Sequence, residues 1–145
     1  MKTVIQRVRD ASVQVDGKTV GAIEQGLLVY FGVAKGDTEE QADWLAEKIA
    51  KLRIFQDSEG KMNKALGEVG GAVLVVSQFT LLANLRKGNR PSWDDSAEPA
   101  LAQGLYERFV KRMGQLVQKV ECGVFGASMQ VTYTNDGPVT FILEA

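Results

Sequence analysis

Ala72-Val73-Leu74-Val75-Val76-Ser77-Gln78-Phe79-Thr80 is the stretch on which the fold turns. Its first five residues are all apolar and three of them are β-branched, so nothing alternates, and the run predicts a strand buried on both faces. Leu27-Leu28-Val29-Tyr30-Phe31 is a second run of the same kind. Strands covered on both sides need other elements to cover them, and the flanking sequence supplies these. Val4, Gln6 and Val8, then Ser12-Val13-Gln14-Val15, alternate toward Asp16-Gly17, a dipeptide of tight hairpins; residues 19–23 return and Glu24-Gln25-Gly26 turns. Thr38 and Gln41 form a capping-box pair ahead of Ala42, Leu45, Ala46, Ile49 and Leu52, which predicts a helix over about residues 39–53. A short strand at Ile54-Phe55, a Ser58-Glu59-Gly60 turn and a loop holding Asn63 lead to Gly70-Gly71. Pro99 suits the first position of a second helix, whose apolar face is Leu105, Phe109, Met113 and Leu116 with Tyr106, Val110 and Val117. Two closing strands, 128–134 and 139–143, flank Asn135-Asp136-Gly137-Pro138. The fold class is α+β over residues 1–145: a curled, barrel-like, mostly antiparallel or mixed sheet flanked by two main helices. The length suits one domain with a real core.

Composition removes whole classes of chemistry. The 145 residues include no histidine and one cysteine, Cys122. A Ser-His-Asp triad, a Cys-His pair, an HExxH zinc site, an intrachain disulfide and a CxxC pair are all impossible. No His/Cys ligand set exists and no carboxylate site is signalled, so neither metal nor cofactor is expected and activity should resist chelators. With 17 Lys+Arg against 18 Asp+Glu, net charge −1, bulk electrostatics cannot hold the chain on nucleic acid; an RNA partner would need a local patch. The start, MKTVIQRVRD, is too interrupted by charge for a signal peptide, and the longest apolar stretch, 26–34, falls far short of the roughly 20 residues of a membrane helix. A cytoplasmic protein without a membrane partner is the expectation.

Two segments place polar residues where packing does not ask for them. Ser77-Gln78-Phe79-Thr80 ends a buried strand, a usual place for functional groups on a rigid scaffold, although Ser77 and Thr80 could simply satisfy backbone groups there. Asn135-Asp136-Gly137-Pro138-Val139-Thr140 is, by residue type, an ordinary turn. Residues 83–96 form the longest segment without a period and hold Arg86, Lys87 and Arg90.

Taken together, and in this order, the two segments resemble the D-aminoacyl-tRNA deacylase family, marked by Ser-Gln-Phe-Thr and a C-terminal Asn-x-Gly-Pro-Val-Thr. The similarity extends over Val4-Ile5-Gln6-Arg7-Val8, Leu52-Arg53-Ile54-Phe55, Gly60-Lys61-Met62-Asn63, Val76 to Leu81, Lys87-Gly88-Asn89-Arg90-Pro91-Ser92 and Phe125-Gly126-Ala127-Ser128-Met129. Leu82 and Trp93 depart from the pattern, standing where Tyr and Phe are usual.

The resemblance implies a homodimeric hydrolase with its active site at the subunit interface. It would cleave the ester joining a D-amino acid, or glycine, to the terminal adenosine of tRNA. It further implies a cis Gly137-Pro138 bond that reaches the partner's site, where backbone carbonyls hold the substrate ammonium and exclude an L side chain. Arg7 is placed as a brace of those carbonyls, or else as part of a solvated strand face. Ser77 and Gln78 are placed near the 3′-terminal adenosine, and Met129 as an adaptable apolar wall. Arg86, Lys87 and Arg90 are candidates for the phosphates of the acceptor end, or are simply solvated. Thr80 is either the nucleophile or a positioning group. The second is favoured because no histidine or terminal threonine amine is present to activate it. The N–H groups of Phe79 and Thr80 would then form an oxyanion hole, with water attacking beside the adenosine 2′-hydroxyl. A non-catalytic dimeric RNA- or nucleotide-binding module, and a small-molecule barrel, are the competing readings.

Overall fold

The computed structural model describes residues 1–86 and 88–145. Its centre is the long strand β1 (Lys2–Val15). Asp16 and Gly17, both at positive φ, turn the chain into β2 (Lys18–Ile23), which pairs back on the second half of β1. The strand β3 (Gly26–Gly32) pairs antiparallel with the first half. After α1 (Glu39–Ala50) and the small hairpin of β4 (Phe55–Gln56) and β5 (Met62–Lys64), β6 (Ala72–Ser77) joins β3 in parallel, Leu27 opposite Val73. Next come α2 (Pro99–Leu116), β7 (Val120–Cys122), parallel to β6, and β8 (Gln130–Glu144), antiparallel to β1 from Lys2↔Glu144 to Gln14↔Gln130. The principal sheet is thus mixed and six-stranded.

The two unbroken apolar runs are buried on both faces because a separate core lies on each side of them. On one side Leu27, Val29, Phe31, Val73 and Val75 meet Ala42, Leu45, Ala46 and Ile49 of α1 and Leu105, Phe109 and Met113 of α2. On the other, Leu28, Leu74 and Val76 meet Val8, Ala11, Val13 and Ile23. The sheet curls until β2 approaches β7. A Cβ on Gly21 would stand 2.7 Å from the Cys122 carbonyl oxygen, so only glycine permits that approach. The result is nearly a closed barrel, flanked by two helices.

Several boundaries differ from the sequence reading. The helix α1 ends at Ala50 rather than near residue 53, because Lys51 and Leu52 tighten onto Lys48 and Ile49 while Arg53 turns away to hold the Asn63 carbonyl. The strands β5 and β7 and two short 3-10 turns, Leu66–Val69 and Phe79–Leu82, lie where the sequence shows no element. The two closing strands are one element, β8, whose ladder on β1 is interrupted. Gln6 faces Thr140 and Val8 faces Asn135, so the four residues 136–139 stand opposite Arg7 alone.

Candidate active site

The end of β6 carries the polar segment to the rim of a cavity. Ser77 is in register with Phe31, and the Gln78 N–H donates to the Phe31 carbonyl at 2.8 Å, so β3 holds the strand until it turns. Gly32 makes room: a Cβ there would lie 2.8 Å from the Gln78 carbonyl oxygen. Phe79 and Thr80 then open the 3-10 turn, and the first N–H groups of such a turn have no partner within it. Among the described residues neither N–H has an acceptor. The Gln78 Nε2 donates to Thr80 Oγ1 at 2.5 Å, which orients the exposed hydroxyl.

The cavity measures about 520 Å³, in the range of small-ligand sites, and Phe31, Ser77, Gln78, Phe79, Phe125 and Met129 line it. Three of the four Ser-Gln-Phe-Thr residues and Met129, some fifty residues apart in sequence, therefore meet at one place; Thr80 is tied to them through Gln78. Among the described lining residues the single titratable side chain is Tyr106. Its hydroxyl donates to the Val75 carbonyl at 3.0 Å, and burial pushes its pKa well above that of an ordinary tyrosine. No group in the lining is poised to take a proton near neutral pH.

Arg7, Gly137 and Pro138 gather elsewhere. They are absent from the cavity lining of their own chain. Arg7 is buried rather than on a solvated face; its Nε donates to the Asp136 carbonyl at 2.9 Å and its Nη1 to the Ile54 carbonyl at 2.6 Å. The same Nε lies 3.2 Å from Asp136 Oδ2, while Arg9 Nε reaches Oδ1 at 3.1 Å. Asn135 spans the base of the excursion, its Oδ1 accepting the Val139 N–H at 2.8 Å. Gly137 and Pro138 stand exposed at the tip, and the peptide bond between them is cis. Arg7 thus grips the residue before Gly137, not the Gly137 or Pro138 carbonyl.

Arg86 lies on a second, polar cavity with Lys2, Asn84 and Asp95, and Arg90 is exposed on the same loop; Lys87 lies outside the described residues. Sequence reasoning did not single out Asp136, Ile54 or Tyr106. Asp136 reads by type as a turn residue, Ile54 acts through its backbone, and Tyr106 reads as part of a helix face. Among the described residues no cluster of His, Cys, Asp and Glu could hold a metal ion, and no helix is long and apolar enough to cross a membrane.

The sequence model of a family described as D-Tyr-tRNA(Tyr) deacylase matches residues 4–144. The chain belongs to the D-aminoacyl-tRNA deacylase family. A D-aminoacyl-tRNA deacylase of Geotalea uraniireducens is 58% identical over 99% of this chain and 93% of its own, and one of Thermosipho africanus is 55% identical over 100% and 97%. Among solved structures, one described as c-Myc DNA Unwinding Element Binding Protein superposes with a TM-score of 0.94 at 38% identity, covering 100% of this chain and 99% of that one. A structure described as a probable eukaryotic D-amino acid tRNA deacylase shares the fold, with a TM-score of 0.82 at 18% identity over 98% and 97% of the two chains. The chain is accordingly an enzyme, a hydrolase with D-aminoacyl-tRNA deacylase function. The non-catalytic module and the small-molecule barrel fall away.

Proposed function

We propose that the cavity receives the 3′-terminal adenosine of D-aminoacyl-tRNA and presents its ester to the N–H groups of Phe79 and Thr80. One observation carries this reading: two backbone donors without an acceptor among the described residues stand at the rim of an apolar cavity whose described lining holds no base. Donors fixed where an oxyanion develops are worth about 10²–10³ in rate each. An unactivated threonine hydroxyl is a poor nucleophile, so Thr80, held by Gln78, positions the substrate and water attacks with help from the neighbouring 2′-hydroxyl. Ser77 and Gln78 meet the ribose and adenine, and Met129 provides an apolar wall.

Selection for D-amino acids, with glycine also accepted, comes from the Gly137 and Pro138 carbonyls of a second copy of the chain. The exposed tip stands outside its own cavity lining and is gripped at its root by Arg7 and Asp136, as a rigid probe would be. Tyr133, Phe141 and Ile142 leave apolar surface open along β8, which supports a homodimer. Arg86, Lys87 and Arg90 hold acceptor-end phosphates, and the enzyme works in the cytoplasm.

Single-turnover cleavage of matched D- and L-tyrosyl-tRNA tests the reading. The D-ester is lost rapidly and the L-ester persists; Thr80→Ala slows cleavage without abolishing it, and a 2′-deoxy terminal adenosine slows it strongly. The D-ester rate shows no inflection between about pH 6 and 9 from a protein group. An acyl-enzyme trapped on Thr80, or full activity on the 2′-deoxy substrate, would sink the mechanism.

A further inference from the structure

Phe79 does more than line the cavity. The residue is 58% exposed and its ring lies against the indole of Trp93, a residue 41% exposed, with centroids 5.7 Å apart and planes tilted by 55°. Two large rings left side by side in water cost solvation free energy that core packing does not recover. The backbone fixes the pair in place. Asn84 and Ser92 exchange both hydrogen bonds, at 2.8 and 3.2 Å, closing the base of the loop immediately before Trp93, and the Trp93 carbonyl accepts the Ser96 N–H at 3.0 Å. Arg86 and Arg90 stand exposed on the closed loop. An exposed ring pair, with Phe79 in the lining of a nucleoside-sized cavity and Trp93 next in the chain to a loop that carries two exposed arginines, matches how proteins hold single-stranded nucleic acid: bases stack on rings while cations follow the phosphates.

We propose that Trp93, backed by Phe79, is a stacking platform for the nucleobase preceding the terminal adenosine in the single-stranded acceptor end. The cavity takes the terminal nucleoside; Trp93 takes the next base, and Arg86 and Arg90 neutralise the phosphates on either side. This site rests on the placement of the acceptor end proposed above. It accounts for an indole left 41% exposed at a loop position beside an exposed phenyl ring.

Trp44, on α1, is the other tryptophan, so the Trp44→Phe protein reports Trp93 fluorescence alone. Titration with the trinucleotide CpCpA quenches that fluorescence, and replacing the middle nucleotide by an abasic one weakens binding about ten-fold. In kinetics, the ratio of kcat/KM for D-tyrosyl-tRNA to that for D-tyrosyl-adenosine falls about ten-fold in Trp93→Ala, through KM, and Trp93→Phe restores most of it; Trp44→Ala leaves the ratio unchanged. Equal affinity for the intact and abasic trinucleotides, or an unchanged ratio in Trp93→Ala, overturns the platform. Wild-type protein cleaving neither ester instead overturns the parent reading, and the fluorescence titration still decides the platform.

Discussion

Arg7 shows how far one residue's role depends on its surroundings. In sequence it is one charged position in an alternating strand, and its type alone allows a solvated face. In the fold it is buried and divides a fork of donors between the Ile54 and Asp136 carbonyls, fastening the β4 hairpin to the root of the 136–139 excursion. A lysine supplies the charge but not the fork, so one carbonyl would be left without its donor. Arg7→Lys is therefore expected to lower unfolding free energy by about 1–3 kcal/mol, measured by urea denaturation, and to reduce the D-over-L rate ratio as the tip loosens. Asp136 could not have been found by the same reading. Aspartate is common in turns whether or not its carboxylate meets two arginines, as it does here.

At the scale of elements, the site rests on the junction between β3 and the turn that follows β6. Gly32 belongs to a strand in which a larger residue would ordinarily be favoured, yet a Cβ there would also meet Leu82 Cδ2 at 2.5 Å besides the Gln78 carbonyl. Gly32→Ala must therefore push the Phe79–Leu82 turn outward. The expected outcome is a stability loss of about 1–3 kcal/mol by thermal melting, with a fall in kcat as the Phe79 and Thr80 N–H groups move off line. The strand before that turn was legible, since five apolar residues in succession leave few alternatives. The strands β5 and β7 were not: each is three residues long, too short to show a period, and exists because a neighbouring strand offers it hydrogen bonds.

The whole molecule joins the two cores through the sheet, and two phenols record that, Tyr106 buried in one core and Tyr30 half-buried against the other. Burial pushes the pKa of Tyr106 up, and that of Tyr30 up to about 12, with Tyr133 beside it adding to the shift. Because the folded values exceed the ordinary value near 10, these groups contribute their full stability below about pH 10 and lose it as pH rises toward the folded pKa. Thermal midpoints should fall steeply between about pH 10 and 11.5, and Tyr106→Phe should flatten that slope without removing it, since Tyr30 remains. The sequence by itself determined the classes of chemistry open to this chain, the double burial of its two central strands and the positions of its helices. Those follow from residue type and from periods that repeat within a few positions. Only the tertiary structure decided which distant segments meet: Ser77 with Met129 around one cavity, Arg7 with Asp136 across 129 residues of chain, and β2 with β7 at the closing of the barrel. Such meetings depend on how curled layers pack, a property of the assembled sheet that no local pattern carries.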